Sequence, residues 1–148
     1  MRRNVSGPSV PLHRRMMECA IARTGRTIVG QADSRTVQTS LIHYFHPERI
    51  VDAGNVVAAA QVKSHMEARV GGLLDQMDTE LAAHGQPWLL GTHFSAVDLY
   101  ALMLCRWTRG FTRPARSLPN LGPYLQRVLA RPAVQRVFTK EGLAAPMV

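Results

Sequence analysis

Apolar residues recur with helical spacing along most of the chain, and no stretch alternates strictly between apolar and polar residues as a half-buried strand would. The longest periodic stretch runs from about Asn55 to Ala83 and predicts an amphipathic helix with charged residues on its other faces. Its apolar positions are Val56, Ala59, Val62, Met66, Val70, Leu73, Leu74, Met77 and Leu81. Gly71-Gly72 marks either a soft spot or the close approach of another helix. Gly85 is a candidate left-handed cap, and Pro87 a stop.

A second stretch, from about Ala96 to Arg109, is apolar nearly all round, which predicts a helix at the centre of the fold. Ser95 is a suitable N-cap, because its hydroxyl can accept a hydrogen bond from the backbone N–H of Asp98. Asp98 can reach back to the N–H of Ser95, which completes a capping box. Phe94 and Leu99 have the spacing of a hydrophobic staple.

A third helix is predicted from Thr36 to Phe45, ended by Pro47 because a proline disfavours the helical conformation of the residue before it. Its inward positions are predicted to be Val37, Leu41, Ile42 and Phe45.

Two short helices are predicted near the end of the sequence. The first runs from Pro123 to Ala130 and the second from Pro132 to about Lys140, with Pro132 at a first helical position and Gly142 closing the helix. Their predicted inward residues are Tyr124, Leu125, Val128 and Leu129 in the first, and Val134, Val137 and Phe138 in the second.

These elements predict an all-α fold in which four to six helices pack around a buried central helix. The 148 residues suit one domain. We expect the helical domain to cover residues 37–143, with a poorly defined basic segment at residues 1–36 and a tail at residues 144–148. A short helix from Arg14 to Arg23 is compatible with the first segment.

The net charge of +8 is concentrated near the start of the sequence. Residues 1–36 carry seven arginines against Glu18 and Asp33, a net +5. No aromatic residues are interleaved with these arginines, so a solvated segment is favoured over a nucleic-acid or anionic-surface patch. No apolar run approaches the roughly 20 residues that cross a bilayer, and the longest run contains Asp98. Two cysteines, Cys19 and Cys105, do not form a disulfide framework, which makes a cytoplasmic location the default expectation.

Few residues suggest chemistry. His43 and His46 are three residues apart, but no acidic or cysteine ligand lies nearby in sequence, so a surface role is favoured over a metal site. Cys105 lies in the apolar helix, where burial raises the pKa of a thiol and makes it a poor nucleophile. Trp107 is either a core aromatic or part of an apolar pocket, and periodicity alone favours the former.

Several motifs occur in an order that resembles the C-terminal helical domain of cytosolic glutathione S-transferases, the bacterial beta class most closely, over about Leu41 to Leu143. They are Tyr44-Phe45-His46-Pro47-Glu48-Arg49, Trp88-Leu89-Leu90-Gly91-x-x-Phe94-Ser95-x-x-Asp98-x-Tyr100, Arg106-Trp107, Pro119-Asn120-Leu121, Arg131-Pro132-Ala133-Val134-Gln135 and Glu141-Gly142-Leu143.

In that family a thioredoxin-like domain binds glutathione and activates its thiol, and the helical domain supplies most of the pocket for a hydrophobic electrophile. The sequence shows no βαβ pattern, so we expect the thioredoxin-like domain to be absent and carry over no catalytic residue. The resemblance implies that Trp107, Leu41, His46 and Met103 contact the substrate. Relatives tend to carry a His-Lys pair where this sequence has Gln38 and Thr39.

The resemblance implies the fold of a detoxifying transferase. The helical half of the substrate site is expected to be present, but the chain alone is expected to be inactive. Glutathione then serves as co-substrate only if a thioredoxin-like domain is supplied, and no metal or other cofactor is expected. The expected protein partner is a second copy of the chain, forming a homodimer, or a separate thioredoxin-like domain. The alternative is a non-catalytic interaction module of the same fold, as in assembly scaffolds. Nucleic-acid binding through the basic start is the third hypothesis. Residues 1–36 are interpreted as an unrelated extension or an altered reading of an interrupted gene.

Overall fold

The computed structural model describes residues 34–148, with side chains from Thr36 onward. Over this range the chain forms five α-helices and two short 3₁₀ helices, and contains no strand beyond an isolated bridge between Trp88 and Gly91. The α-helices are α1 (Ser34–Phe45), α2 (Val56–His84), α3 (Ala96–Trp107), α4 (Leu121–Leu129) and α5 (Pro132–Lys140), and the 3₁₀ helices are Pro47–Arg49 and Ala115–Ser117. The all-α prediction is confirmed. The helix considered at Arg14 to Arg23 lies outside the described residues.

Helix α1 ends at Phe45, before Pro47, as predicted, and packs mainly on α2. Its inward face differs from the prediction, because Ile42 and Phe45 are 37% and 48% exposed. Leu41 is buried as predicted, and Tyr44 shares its stripe in place of Ile42 and Phe45. The ring of Tyr44 packs against Phe111, with centroids 4.6 Å apart, so this residue places its apolar body in the core despite its hydroxyl.

Helix α2 begins and ends where the sequence predicts. The Asn55 side chain accepts a hydrogen bond from the N–H of Ala58 at 3.0 Å, and Gly85 adopts the left-handed conformation with φ of 58°. The helix continues through Gly71 and Gly72, and a Cβ atom at either position would meet no described residue within 4 Å. Of the two alternatives for this pair, the described residues therefore do not support the close approach of another helix. Val56 is 77% exposed although the periodicity places it inward. Periodicity identifies which side of a helix is apolar, but it does not show over what length of the helix other elements pack on that side.

Helix α3 begins with a complete capping box formed by Ser95 and Asp98. Its inner side is buried, at Ala101, Leu102, Leu104 and Cys105. However, Leu99 and Met103 are 44% and 36% exposed, so the expectation of a helix buried all round is wrong for this side. An apolar sequence does not distinguish a side covered by its own chain from one that another molecule covers.

Phe94, the residue before the cap, packs on the ring of Trp88 at 5.1 Å and on the Arg131 guanidinium at 3.7 Å from the ring centroid. These contacts hold the loop before α3 against the residue that precedes α5. The staple between Phe94 and Leu99 stays a prediction.

Asp98 also has a role that the capping motif does not reveal. Its carboxylate has no exposed surface, and Oδ1 accepts hydrogen bonds from the N–H of Leu89 at 3.0 Å and the hydroxyl of Tyr124 at 2.9 Å. Oδ2 accepts from the N–H and hydroxyl of Ser95. Burial and the neighbouring carboxylate raise the pKa of the Tyr124 hydroxyl well above its usual range. One side chain thus joins the loop before α3, the start of α3 and α4.

A second carboxylate, Asp78 on α2, holds the start of α4. It accepts hydrogen bonds from the N–H groups of Asn120 and Leu121 at 2.8 and 2.7 Å, and from the Asn120 amide at 2.9 Å. These N–H groups lie at a helix start, where they have no partner within the helix. Helix α4 therefore begins at Leu121 rather than at the predicted Pro123.

The inward faces of the last two helices largely follow the prediction. Tyr124, Leu125 and Val128 of α4 are fully buried. Helix α5 begins at Pro132 as predicted, and Val134 is buried, whereas Val137 is 56% exposed. The prediction that Val137 faces inward is wrong. The residues of this helix that pack on the core are Val134 and Phe138, which are four residues apart and therefore lie on the same side of the helix.

Of residues 144–148, predicted as a tail, residues 144–146 are exposed, whereas Met147 and Val148 contact the domain. The side chain of Val148 is buried, and its carbonyl accepts from Arg116 at 2.8 Å. Arg106 donates to the carbonyl of Met147. Two guanidinium groups and one apolar side chain therefore hold these residues in place. None of the helices in the described range is long and apolar enough to cross a membrane.

Candidate functional site

Helices α1 and α3 lie side by side and run in the same direction, as two contacts show. The hydroxyl of Tyr100 donates to Oε1 of Gln38 at 3.2 Å. The rings of Phe45 and Trp107 meet edge-on, with centroids 6.4 Å apart. Each helix advances seven residues between its two contacts, which is about two turns or 10 Å. The helices are therefore in register over this distance.

Two apolar side chains that lie between these contacts are each more than a third exposed. Ile42 follows Gln38 by four residues and Met103 follows Tyr100 by three, so each lies on the same side of its helix as the contact residues. Ile42 is 37% exposed and Met103 is 36% exposed. We call this surface the α1–α3 face, and its residues are Gln38, Ile42, Phe45, Tyr100, Met103 and Trp107.

The α1–α3 face has an aromatic end, an apolar middle and a polar end. Phe45 is 48% exposed at the aromatic end, where Tyr44 also meets its ring edge-on at 5.1 Å. The polar end consists of the Gln38 amide and the Tyr100 hydroxyl. None of the six side chains carries a charge at neutral pH. The face therefore has groups that bind an apolar molecule, but none suited to proton transfer or nucleophilic attack near pH 7.

The structure brings two of the four predicted substrate residues to this face, namely Trp107 and Met103. Leu41 is not available there, because its side chain is fully buried in the core and the next residue, Ile42, takes the exposed position. His46 follows the end of α1, and its Nδ1 lies 3.2 Å from Oε1 of Glu48. The resemblance gave Leu41 a position along the helix but did not determine which side of the helix it lies on.

Sequence reasoning did not identify Ile42, Phe45 and Tyr100 as site residues. A usable signal exists, because Gln38, Ile42 and Phe45 are spaced by four and three residues, and the α3 residues by three and four. Each spacing defines one side of a helix. Only the structure shows that these two sides are adjacent, since Gln38 and Tyr100 are 62 residues apart.

The remaining candidates for chemistry are poorly placed. Cys105 has 1% of its surface exposed, and burial raises the pKa of its thiol to about 12, so it is protonated and inaccessible. Within residues 34–148, no three histidine, cysteine or acidic side chains form a group that could hold a metal ion.

An open depression on α2 is lined by Asp75, Gln76, Thr79 and Glu80. Asp75 is engaged there in an ion pair with Arg113, from the loop after α3. We interpret this pair as a connection between α2 and that loop.

Comparison with known proteins gives two findings. The family model described as "Glutathione S-transferase, C-terminal domain" matches residues 52–141. Over 62 residues, the chain is 29% identical to glutathione S-transferase GstA of Escherichia coli O157:H7, a match that covers 42% of this chain and 31% of that relative. The chain thus spans less than a third of the length of that relative. No solved structure matches the chain significantly.

Proposed function

Because the chain belongs to the family of glutathione S-transferase C-terminal domains, we propose that its α1–α3 face binds the hydrophobic electrophile of a glutathione transfer reaction. The face forms one half of such a site, and a thioredoxin-like domain supplies the other half together with the bound glutathione. The chain alone therefore binds the electrophile without converting it.

The exposure of Ile42 and Met103 between two helix contacts carries this proposal. Each apolar side chain left in water costs roughly 25 cal/mol per Å² relative to burial. A flat apolar molecule lying between the contacts covers both residues and recovers that free energy. Trp107 and Phe45 then border the molecule at one end.

The chemistry of the reaction explains why electrophile binding and thiol activation require two different domains. A thiolate attacks the electrophilic carbon, a carbon–sulfur bond forms, and the leaving group departs with its electron pair. The α1–α3 face orients the electrophile, but no side chain on it can deprotonate a thiol. Cys105 cannot replace glutathione, because its thiol is buried and protonated.

Quenching of Trp107 fluorescence tests the binding half of the proposal. In a Trp88→Phe background, Trp107 is the only tryptophan, since the chain contains two. We expect 1-chloro-2,4-dinitrobenzene to quench it saturably, and Met103→Ser to weaken that binding several-fold. Val137→Ser is the matched control, because Val137 is also an exposed apolar residue but lies on α5. Equal weakening by both substitutions, or no saturable quenching, contradicts the proposal.

The same electrophile tests the inactivity of the chain alone. With glutathione present, we expect conjugate to form at the buffer rate, measured by its absorbance. Turnover well above the buffer rate contradicts this part of the proposal and leaves the binding result standing.

A second apolar patch favours an additional role in protein association. Ile50, which follows the first 3₁₀ helix, is 48% exposed, and Val56 and Val57, in the first turn of α2, are 77% and 71% exposed. All three lie outside the α1–α3 face. We propose that this patch contacts a second copy of the chain. Sedimentation across a concentration series should then show a dimer that Val57→Asp dissociates. A monomer at all concentrations contradicts this second role.

A further inference from the structure

We propose that Gln38 determines which ligands the α1–α3 face accepts, and that it selects flat aromatic molecules with an uncharged hydrogen-bond acceptor at one end. A ketone or nitro oxygen is such an acceptor. This inference rests on the proposed function and names the class of molecule that the same face takes.

The polar end of the face presents hydrogen-bond donors. The Tyr100 hydroxyl donates to Oε1 of Gln38, which leaves the two N–H groups of the Gln38 amide for another acceptor. No described residue accepts a hydrogen bond from that amide nitrogen. Gln38 and Tyr100 are both half-buried, so a ligand acceptor bound there is partly shielded from water.

The other end of the face sets the position of the aromatic part of the ligand. Phe45 and Trp107 are in edge-to-face contact, and nearly half of the Phe45 surface is exposed. A ligand ring can pack against that surface in the offset or edge-on geometry that aromatic pairs prefer. With about 10 Å between the two ends, one molecule of biphenyl length can reach both.

The charge of the face decides what kind of acceptor it tolerates. A carboxylate or sulfonate loses hydration when it binds and needs an opposite charge to offset that loss. None of the six residues carries a positive charge. An uncharged acceptor loses less hydration, and one amide donor is enough to pair it. We therefore expect ketones to bind better than matched hydrocarbons, and carboxylates to bind no better than hydrocarbons.

Equilibrium dialysis with three biphenyls tests the inference. The probes are 4-acetylbiphenyl, 4-isopropenylbiphenyl and biphenyl-4-carboxylate, of which the first two differ only in an oxygen against a methylene group. We expect the ketone to bind the chain about fivefold more tightly than the isopropenyl compound, as one net hydrogen bond provides.

Three substitutions locate the preference. Gln38→Leu keeps the approximate size and removes the donors, so the ratio of ketone to isopropenyl affinity should fall to about one. Tyr100→Phe removes the hydroxyl that orients the Gln38 amide, so the preference should fall without vanishing. Gln135→Leu is the matched control on α5, where the residue is exposed, and should leave the preference intact.

The outcomes separate this inference from the proposed function. If ketone and hydrocarbon bind equally, or if Gln38→Leu keeps the preference, the inference is wrong while the apolar binding face stands. Tightest binding of the carboxylate also overturns it. If no probe binds, both the proposed function and the inference fail. Should Gln38→Leu not fold, as judged by circular dichroism, Tyr100→Phe alone decides the question.

Discussion

Helix α3 has a buried charged side chain at its start and exposed apolar side chains on its outer side. At its start, the Asp98 carboxylate is fully buried yet accepts four hydrogen bonds, all from residues of this chain. On its outer side, Leu99 and Met103 are apolar yet substantially exposed. The buried carboxylate serves the structure, because its partners are all present. The exposed apolar side has no described partner that covers it, which favours a role in binding.

The largest expected effect is the loss of Asp98. Asp98→Ala leaves the donors on Leu89, Ser95 and Tyr124 without their acceptor in the core, so we expect a loss of about 3–5 kcal/mol in unfolding free energy. Urea denaturation followed by circular dichroism measures it. Asp52→Ala is the matched control at an exposed position and should change stability by less than about 0.5 kcal/mol. A loss below about 1 kcal/mol for Asp98→Ala contradicts the structural role.

Two glycines provide the next contrast, between a tight and an open position. A Cβ atom at Gly122 would lie 2.5 Å from the carbonyl oxygen of Arg116, so Gly122→Ala should destabilise the chain by about 1–3 kcal/mol. Gly72 lies within α2 with no described residue within 4 Å of the added Cβ, so Gly72→Ala should stabilise the chain by about 0.5–1 kcal/mol. Thermal unfolding of both variants measures the opposite signs. If Gly122→Ala does not destabilise the chain, the contact with Arg116 is not rigid, and if Gly72→Ala destabilises it, position 72 is not open.

Asp78 should make stability depend on pH. Burial raises the pKa of Asp78, but hydrogen bonds from the Asn120 side chain and the Leu121 and Asn120 N–H groups outweigh it, so the pKa is lowered overall. Its contribution is therefore present above the ordinary carboxyl pKa of about 4 and is lost as pH falls through the lowered folded-state value.

Urea denaturation of Asp78→Asn tests this contribution. The variant should be less stable than the wild type at pH 7 by about 1–2 kcal/mol, and the difference should shrink below pH 4. Asp52→Asn, at an exposed position, serves as the control. A difference that is independent of pH would assign the effect of Asp78→Asn to packing instead of charge.

The smallest stability effect is expected on the α1–α3 face. Met103→Ser removes an apolar side chain that is already 36% exposed, so it should cost less than about 1 kcal/mol. Leu102→Ala, one residue earlier and 4% exposed, should cost about 2–4 kcal/mol. Equal losses would mean that Met103 is part of the core, which would weaken its assignment to ligand binding.

The sequence predicts features that depend on neighbouring residues. The capping box of Ser95 and Asp98, the Asn55 start of α2, its Gly85 end and the Pro47 stop of α1 all follow from residues within a few positions of each other. The resemblance adds the family and draws attention to Trp107. Neither reveals the Leu89 and Tyr124 partners of Asp98, because those contacts join separate elements.

The site is less predictable than the fold for a related reason. A helix with two apolar stripes, one through Leu41 and Tyr44 and one through Ile42 and Phe45, can bury either of them. The choice depends on α2 and Phe111, which pack on the first stripe. Because Tyr44 carries a hydroxyl, a simple count of apolar positions omits it from the predicted core.

The distances in sequence around Asp98 have a consequence for folding. Leu89, Ser95 and Tyr124 lie within 26 residues of Asp98, whereas Gln38 must reach Tyr100 across 62 residues. Short loops lose less entropy on closure, so α3 and α4 can assemble before α1 joins them. Helix α1 is then the element whose local opening removes the binding face while the rest stays folded. A bound ligand should accordingly slow amide hydrogen exchange in α1 more than in α4.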